Sequence, residues 1–380
     1  MRLIFCFIIF IIVNDEKKCV YQELHGIVGG KSSPLISIVV PVYNAAQALE
    51  KCVCSLTSQS FENIEILLVN NGSTDCSLNV CAKLASKDSR IKVIDHFEKG
   101  VSAARNRGIR ESVGDYVMFV DADDWIDSNV CEVFANSNSK YNYDLFCFSA
   151  RYCKKNKSIE SFLFAENVDI LSPTQKEQLQ IKVLSPQAPV LDYKVNTRYA
   201  GSVWGKFYKR EIIQKSSLCF ATETIISEDC LFNTLALDYF LRIGYTRDCF
   251  YYYEQHDNSA QNRFRENSEK YFQYVADQIK CWLKETNKNQ CIVDAANCLF
   301  VHYLFGILKE DLFHRDNKIS LNQRCSQLKI LLSKNTTQEL LQNINKEYFS
   351  FLERLLVYMM KKKFSFLLSS LLWLYCRKGS

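Results

Sequence analysis

The densest cluster of acidic side chains in the sequence is the run Asp121-Ala122-Asp123-Asp124. Asp121 and Asp123 are two residues apart, so in an extended chain both carboxylates project to the same side. Oxygen ligands of this kind suit magnesium or manganese, which usually complete their shells with water and substrate phosphates. Without an ion, adjacent carboxylates at an apolar strand end would repel one another, so a plain solvated turn is the weaker interpretation. The run therefore predicts a divalent metal site, Mn²⁺ or Mg²⁺, on Asp121 and Asp123.

A second motif, GVSAARNRGI, is suited to an anion. Gly100 and Ser102 mark a predicted helix start, and Arg105 and Arg107 fall in its first turns. The N-terminus of a helix and a guanidinium group both favour negatively charged ligands. Metal-binding carboxylates with an arginine beside them describe a site for a diphosphate.

Both motifs lie in a region that alternates between strand and helix patterns, from residue 36 to residue 120. Continuous apolar strands separated by amphipathic helices predict an α/β fold with a mostly parallel sheet covered on both faces. Ligands bind to such sheets at the carboxyl ends of the strands. Each predicted strand end is polar, although each is also ordinary turn chemistry when taken alone. These ends are Pro41-Val42-Tyr43-Asn44, Asn70-Asn71-Gly72-Ser73-Thr74-Asp75, Asp95-His96 and Asp121-Ala122-Asp123-Asp124.

Composition and missing motifs argue against several other classes of protein. The net charge of +5 comes from 47 basic and 42 acidic residues without a long basic run in the first half, which gives poor support to nucleic-acid binding. The 17 cysteines form no paired CxxC sets, which argues against zinc and favours reduced thiols in a cytosol. No GxGxxG follows the first strand and no GxxxxGK[ST] occurs, so neither a dehydrogenase phosphate turn nor a P-loop is present.

Apolar segments occur near both ends of the chain. Residues 1–13, MRLIFCFIIFIIV, have a single early arginine, lack a small-x-small cleavage site after them and are too short to span a bilayer comfortably. A cleaved signal, a short anchor and a misassigned start codon all remain open. The stretch 364–376 lies between Lys361-Lys362-Lys363 and Arg377-Lys378. Residues 359–378 are therefore expected either to make a peripheral contact with a membrane interface or to form a final amphipathic helix packed on the protein.

Four segments taken in order resemble the successive motifs of family 2 glycosyltransferases with the GT-A fold. They are ISIVVPVYN, IEILLVNNGSTD, GVSAARNRGI and YVMFVDADDW, within residues 36–126. The segments VWGKFYKREII, ISEDCLFN and FYYYEQHDNS extend the resemblance to the acceptor half of bacterial members that build polysaccharide or lipopolysaccharide. With the helical periodicity that follows, this implies a hydrophobic extension (1–33), a Rossmann-like GT-A domain (34–260, with a nucleotide-sugar half 34–126 and an acceptor half 127–260) and a helical C-terminal region (261–380).

The resemblance also implies roles for individual residues. Pro41, Tyr43 and Asn44 are expected to line the nucleotide pocket, Arg105 to approach it, and Asp121 and Asp123 to serve ribose and metal. Members commonly read VDDGSTD, and the first aspartate accepts a hydrogen bond from uracil. Asn70 stands at that position here, and an amide oxygen still accepts but gives up about 1 kcal/mol of charge-assisted strength. A UDP-sugar is the expected donor, with uridine recognition weakened by this departure.

In the acceptor half, Asp229 matches the family's general base, and Glu228 is expected to position sugar or acceptor hydroxyls. The alternative is that both acids only begin a helix, with Ser227 as its cap. Trp204 is expected to offer an apolar face to the sugar ring and Lys206 a hydrogen-bond donor, although both could equally serve packing. The reaction implied is inverting transfer of a hexose-type sugar to a hydroxyl of a glycan or lipid-linked saccharide, in the cytoplasm at the inner face of the membrane.

Two rival functions stay open at the level of sequence. A catalytically idle relative could bind a glycan or a partner protein through the same scaffold. It is favoured mildly by Asn70 and by Glu254, which stands after the tyrosines where relatives often carry arginine. The intact acidic motif and the Glu228-Asp229 pair argue against it. Nucleotidyl transfer would need a glycine-rich phosphate loop after the first strand, and PVYNAAQ contains no glycine.

Overall fold

The computed structural model describes residues 35–96, 98–155, 157–186, 188, 197–255 and 264–378. The predicted extension 1–33, with its apolar residues 1–13, lies outside the described residues. From Leu35 onward the described chain forms one compact unit.

Nine strands form one mixed sheet in the described part of the chain, in the order β3-β2-β1-β4-β8-β6-β9-β5, with β7 paired to β6. The first four strands are parallel, β8 runs antiparallel to β4 and β6, and β9 is parallel to β6. The strands are β1 (Ile36–Val42), β2 (Ile64–Asn70), β3 (Ile91–Asp95), β4 (Tyr116–Phe119), β5 (Trp125–Ile126), β6 (Leu145–Lys154), β7 (Lys157–Ser161), β8 (Lys206–Lys209) and β9 (Ile243–Glu254).

Helices cover the sheet and then form a separate C-terminal group. Those that accompany the sheet are α1 (Leu49–Thr57), α2 (Ser77–Ala85), α3 (Val101–Glu111), α4 (Val130–Tyr141), α5 (Pro173–Leu184), α6 (Arg210–Lys215) and α7 (Glu228–Ala236). The C-terminal group comprises α8 (Ser268–Thr286), α9 (Gln290–Gly306), α10 (Leu321–Ser333), α11 (Asn335–Gln342), α12 (Phe351–Lys361) and α13 (Ser365–Lys378). The predicted α/β architecture with a helical C-terminal region is confirmed.

The register of the parallel strands brings the polar strand ends together. Val42 pairs with Asn70, and Asn70 pairs with Asp95, so β1, β2 and β3 end side by side. The apolar runs of β1 and β2 explain this, because both strands are buried almost throughout and fix the register on both faces of the sheet. Helix α3 packs directly on β1 at Gly108, where a Cβ would lie 2.2 Å from a methyl group of Val39. A small residue is therefore required in the helix that carries Arg105.

The C-terminal helices surround a second apolar core that includes Phe272, Val275, Ile279 and Trp282 of α8. Their spacing of three and four residues places them on one face of the helix. The indole nitrogen of Trp282 donates to Asp238 over 2.7 Å and so ties this core to the sheet-bearing part. Among the described residues, Gln290–Leu312 has the length and apolar composition to cross a membrane, but 56% of its apolar window is buried inside the fold.

Candidate active site

The acidic turn after β4 is held in place by Asp124. This buried carboxylate accepts a hydrogen bond from the hydroxyl of Tyr251 (2.6 Å) and another from the backbone N–H of Glu254 (2.8 Å). Burial raises its pKa well above the usual range, and the neighbouring charges of Asp121 and Asp123 raise it further. The backbone N–H of Asp121 also donates to Tyr251 (3.2 Å). Asp124 thus fastens the turn to β9, a structural role that the sequence motif alone does not separate from ligand binding.

Asp121 and Asp123 are the more accessible acids of this turn, since Asp121 is half-buried and Asp123 is exposed. Their carboxylate oxygens are the donor type that Mg²⁺ and Mn²⁺ prefer. Among the described residues, no three or more His, Cys, Asp or Glu side chains are arranged so that they could hold one metal ion together. The pair therefore fits an ion that takes its remaining ligands from water and a bound diphosphate, and not an ion enclosed by the protein alone.

Arg105 is buried at the centre of the site and joins the two predicted halves. Its Nη1 donates to Asp229 Oδ1 (2.5 Å) and Glu228 Oε1 (3.2 Å), and its Nη2 donates to Asp121 Oδ1 (3.1 Å). The guanidinium also lies over the ring of Phe220, 5.4 Å from the ring centroid. Burial alone would lower the pKa of Arg105, but the three carboxylates raise it above its ordinary value. The arginine is therefore a permanent cation between Asp121 on one side and the pair Glu228 and Asp229 on the other.

The electrostatic environment of Asp229 differs from that of an ordinary surface acid. Burial raises its pKa to about 7, the Arg105 cation opposes this shift, and the charge of Glu228 adds to it. Burial also raises the pKa of Asp121, where Arg105 again opposes the effect. A carboxylate that titrates near neutral pH has the properties of a general base.

Glu228 and Asp229 begin α7 in an unusual way. Ser227, immediately before them, has a left-handed backbone (φ +57°) and makes no side-chain capping bond within the described part of the chain. The cap that belongs to the alternative interpretation is therefore not formed, and both carboxylates reach Arg105 instead. The side-chain amide of Asn233 donates to the backbone oxygen of Asp229 (3.1 Å), which holds the first turn. Left-handed backbone at a non-glycine residue is found often at functional sites.

The carboxyl end of β1 lies at the same edge of the sheet. Tyr43 is half exposed, and Pro41 is partly buried beside it. Asn44 has a left-handed backbone, and its side-chain oxygen accepts from the backbone N–H of Thr74 (2.8 Å). Its own backbone N–H donates to the hydroxyl of Ser73 (3.1 Å). Asn44 therefore fastens the end of β1 to the loop after β2, and the ring of Tyr43 beside it stays open to solvent.

Asn70 and Asn71 are both buried but differ in their partners. The side-chain nitrogen of Asn70 donates to Asp95 Oδ1 (2.7 Å), and its oxygen accepts from the backbone N–H of Ser73 (3.4 Å). The side-chain oxygen of Asn71 has no hydrogen-bond partner among the residues that the structure describes. A buried acceptor without a partner costs about 1–3 kcal/mol unless a ligand satisfies it. The sequence pattern selected Asn70 and passed over Asn71.

Trp204 and Lys206, the two residues expected to contact the sugar, are buried inside the fold. Trp204 is 4% exposed, and its ring is nearly parallel to those of Tyr199 and Tyr251, at centroid distances of 5.3 and 4.4 Å. Lys206 is also buried, its Nζ donates to the backbone oxygen of Ser202, and burial lowers its pKa to about 8. In this conformation both side chains serve packing, the alternative that the sequence left open.

Three comparisons bear on these findings. Residues 37–188 match the family model of Glycosyl transferase family 2. EpsJ of Bacillus subtilis, an uncharacterized glycosyltransferase, is 30% identical over 226 residues, 60% of this chain and 62% of EpsJ. The glycosyltransferase GlyA of Streptococcus pneumoniae is 34% identical over 180 residues, 47% of this chain and 25% of GlyA. The chain thus matches less than two thirds of the length of each of these two relatives.

A solved structure extends the similarity to most of the described chain. The crystal structure of residues 1–349 of TarS from S. aureus, in complex with UDP-GlcNAc, has a TM-score of 0.60 at 20% identity. The match covers 91% of this chain and 92% of that TarS chain. At this level of identity the similarity concerns the fold, including the helical region after the sheet.

Proposed function

We propose that the protein, whose residues 37–188 match the family model of Glycosyl transferase family 2 and whose fold is that of GT-A enzymes, transfers a hexose-type sugar from a UDP-sugar to a hydroxyl group. The acceptor is a glycan or a lipid-linked saccharide, and the anomeric configuration is inverted. The observation that carries this proposal is the contact of one buried cation, Arg105, with both Asp121 and Asp229. It brings the donor-binding acid and the candidate base to a single point.

The proposed donor site begins at the ends of β1 and β2. Tyr43 provides an exposed ring for the uracil base of the donor. Asn71 supplies the buried oxygen that accepts a hydrogen bond from an N–H group of the uracil ring. Asn71 is better placed than Asn70 for this contact, because the side-chain amide of Asn70 is already hydrogen-bonded to Asp95 and Ser73. The UDP-GlcNAc complex of TarS supports a uridine nucleotide as the donor.

The proposed metal site consists of Asp121 and Asp123 with the donor's diphosphate. A bound Mn²⁺ or Mg²⁺ would stabilise the negative charge that develops on the departing diphosphate. Arg105 stays beside this point as a fixed positive charge and needs no reorganisation during transfer. Arg105 holds the half-buried Asp121, whereas Asp123 is exposed, and these two carboxylates would hold the ion.

The proposed base is Asp229, with Glu228 as its neighbour. Transfer requires removal of the proton from the acceptor hydroxyl, and a carboxylate with a pKa of about 7 accepts that proton near neutral pH. Arg105 fixes Asp229 in position, and Glu228 is placed to hold hydroxyl groups of sugar or acceptor. In-line attack by the deprotonated hydroxyl on the anomeric carbon inverts its configuration.

The broader organisation of the chain belongs to the same proposal. We assign the sugar-transfer domain to residues 34–260 and the remaining described residues to a helical region within 261–380. The cysteines of the described residues are free thiols, which supports a reducing compartment and therefore a cytoplasmic enzyme.

A donor screen tests the proposal. The protein is melted with UDP-glucose, UDP-galactose, UDP-GlcNAc or GDP-mannose, each with and without Mn²⁺, and UDP release is then measured for any stabilising donor. A ligand at 100 times its dissociation constant stabilises the fold by about 2.7 kcal/mol. We expect a metal-dependent rise in melting temperature with a UDP-sugar, followed by slow release of UDP. Donor binding without release of UDP in the presence of saccharide acceptors would indicate an idle relative, and stabilisation by GDP-mannose alone would contradict the uridine assignment.

A further inference from the structure

The last two helices carry an uncovered apolar surface. On α12 it consists of Phe351, Leu352, Leu355 and Tyr358, and on the following turn and α13 of Phe364, Phe366, Leu367, Leu371 and Leu374. Each of these nine side chains is at least 45% exposed, and together they make up more than half of the 17 large exposed apolar side chains of the described residues. We call these nine residues the hairpin surface. Contiguous apolar patches of this kind mark interaction sites.

The hairpin surface is separate from the faces that hold the two helices on the protein. Val357 and Met360 of α12 and Leu368 of α13 are buried in the second core. The exposed residues follow their own helical stripe, for example Phe351, Leu355 and Tyr358 at spacings of four and three. The rings of Tyr358 and Phe364 meet edge to face, with centroids 6.4 Å apart, and join the stripes of the two helices. The surface is therefore continuous across the turn between them.

Charge is concentrated in the same segment. Residues 351–378 contain six basic side chains and one acidic side chain, a net charge of +5 that equals the net charge of the whole chain. Basic and acidic side chains are therefore equal in number in the rest of the sequence. Arg354, Lys362 and Lys363 are exposed beside the apolar stripes, and the acid, Glu353, is bound to His302 (3.1 Å) and capped on Ser350. An apolar stripe with a basic border has the chemistry of a helix that lies in an anionic membrane interface.

We propose that the hairpin surface docks on a membrane that contains anionic lipid. The apolar side chains enter the boundary between headgroups and acyl chains, and Arg354, Lys362 and Lys363 contact lipid phosphates. This goes beyond the contact at residues 359–378 that the sequence suggests, because α12 contributes four of the nine apolar side chains. The proposal does not depend on the transfer reaction, since the surface lies outside the active site.

Charge also favours an anionic lipid surface over two other possible occupants of the hairpin surface, a second copy of the chain and residues 1–33. A second copy of the chain would bring the same basic surface against itself, and like charges at an interface are unfavourable. Residues 1–33 contain four basic and three acidic side chains, so they offer no net negative charge either. A lipid surface with phosphates supplies both the apolar phase and the opposite charge.

Sedimentation of the full chain with vesicles tests the proposal. One vesicle preparation is phosphatidylcholine alone, and the other is an equimolar mixture of phosphatidylcholine and phosphatidylglycerol. The key variant combines Leu355→Gln, Phe366→Gln and Leu371→Gln, which leaves the buried faces untouched. Its matched control combines Val113→Gln, Ile159→Gln and Leu241→Gln, three side chains of similar exposure outside the hairpin surface. A third variant combines Lys362→Gln and Lys363→Gln. Equal melting temperatures establish that all variants are folded.

We expect binding to the anionic vesicles, weakening as salt rises, and little binding to the neutral ones. The apolar triple variant should bind at least tenfold more weakly, the matched control should bind like the unchanged chain, and each lysine removed should weaken binding about fivefold. Equal binding to both vesicle types, or equal loss in the matched control, would overturn the proposal. Absence of vesicle binding together with a dimer that the apolar triple variant abolishes would assign the surface to a second copy instead.

Discussion

The guanidinium of Arg105 and the carboxylate of Asp229 form a buried ion pair with an N–O distance of 2.5 Å. The other guanidinium nitrogen holds Asp121, so one side chain of α3 joins the turn after β4 to the start of α7. The close packing of Gly108 on Val39 fixes α3, and thereby the position of this cation. The proposed donor and acceptor sites thus share a single positioning residue.

The pH dependence of transfer follows from the environment of Asp229. Its pKa is raised from the ordinary value of 3.8 to about 7, chiefly by burial, and only the deprotonated form accepts a proton. We expect kcat/KM to rise about tenfold per pH unit below pH 7 and to level off above it. Because the raised pKa disfavours the charged form in the fold, the contribution of Asp229 to stability falls as pH rises from about 4 to 7. Rate profiles and urea unfolding across this range check both statements, and a rate that falls with rising pH would contradict the assignment.

Replacement of Arg105 by methionine should lower the free energy of unfolding, because it leaves the buried acids without their cation. Loss of one partner from a buried charge network typically destabilises by about 3–5 kcal/mol. The loss should be largest near pH 8, where the acids are ionised, and smaller near pH 5, where Asp229 is protonated. Arg107→Met is the matched control, because Arg107 is more exposed and pairs with Glu111 on the helix surface, a contact worth about 0.5 kcal/mol. Equal destabilisation of the two variants in urea would argue against a central role for Arg105.

The parts of this site that sequence could predict are those encoded by local pattern. Apolar runs and polar strand ends indicated which segments form the sheet edge, and the alternation of Asp121 and Asp123 indicated two ligands on one side. The role of Asp124 was not predictable in this way, because its partners Tyr251 and Glu254 lie on β9, some 130 residues further along the chain. Long-range pairing decides which acid of the run is structural.

The same limit applies to the aromatic and amide residues. The sequence predicts that Trp204 contacts a sugar, but the fold stacks it between Tyr199 of its own loop and Tyr251 of β9, which is distant in sequence. Asn70 and Asn71 are equivalent in a local pattern, and only the register of β2 with β3 gives Asn70 its partner Asp95. A buried, unpaired acceptor such as that of Asn71 has no sequence signature.

Paired substitutions of the two asparagines separate their roles. Asn71→Asp places a charged acceptor where a ligand N–H is expected and should tighten binding of UDP, with a gain of about 1 kcal/mol. Asn70→Asp instead replaces a donor to Asp95 by a second carboxylate and should destabilise the fold by about 1–3 kcal/mol near neutral pH. Calorimetric titration with UDP and thermal melting measure the two effects. If the Asn70 variant binds UDP more tightly and the Asn71 variant does not, Asn70 and not Asn71 contacts the uracil ring.

Removal of the exposed acid of the metal pair should affect the donor and not the fold. Asp123→Asn is expected to abolish the additional stabilisation that Mn²⁺ gives to the complex with a UDP-sugar, while the melting temperature without ligand stays the same. The amide keeps the shape but loses the charge that the ion requires. Asp127→Asn is the matched control, since Asp127 lies three residues beyond the acidic run and takes no part in the proposed site. Normal metal-dependent donor binding by the Asp123 variant would remove Asp123 from the site.

Separate substitutions of Asp229 and Glu228 distinguish binding from chemistry. Asp229→Asn keeps the shape and the hydrogen-bonding reach toward Arg105 but loses basicity. Donor affinity should therefore persist, while kcat falls by roughly 10²- to 10⁴-fold, the usual contribution of a positioned general base. The pH dependence of kcat/KM near 7 should disappear in the same variant, because the group that titrates there is gone.

Glu228→Gln is the companion variant, since its carboxylate shares Nη1 of Arg105 at 3.2 Å without being the proposed base. It should raise KM for the substrates and leave a larger residual kcat than Asp229→Asn. Both variants must melt within a few degrees of the unchanged chain, because either acid also interacts favourably with the N-terminus of α7, by about 0.3–1 kcal/mol. An Asp229→Asn protein that transfers sugar at nearly the original rate would exclude Asp229 as the base, and Glu228, the other carboxylate bound to Nη1 of Arg105, would then be the first group to test.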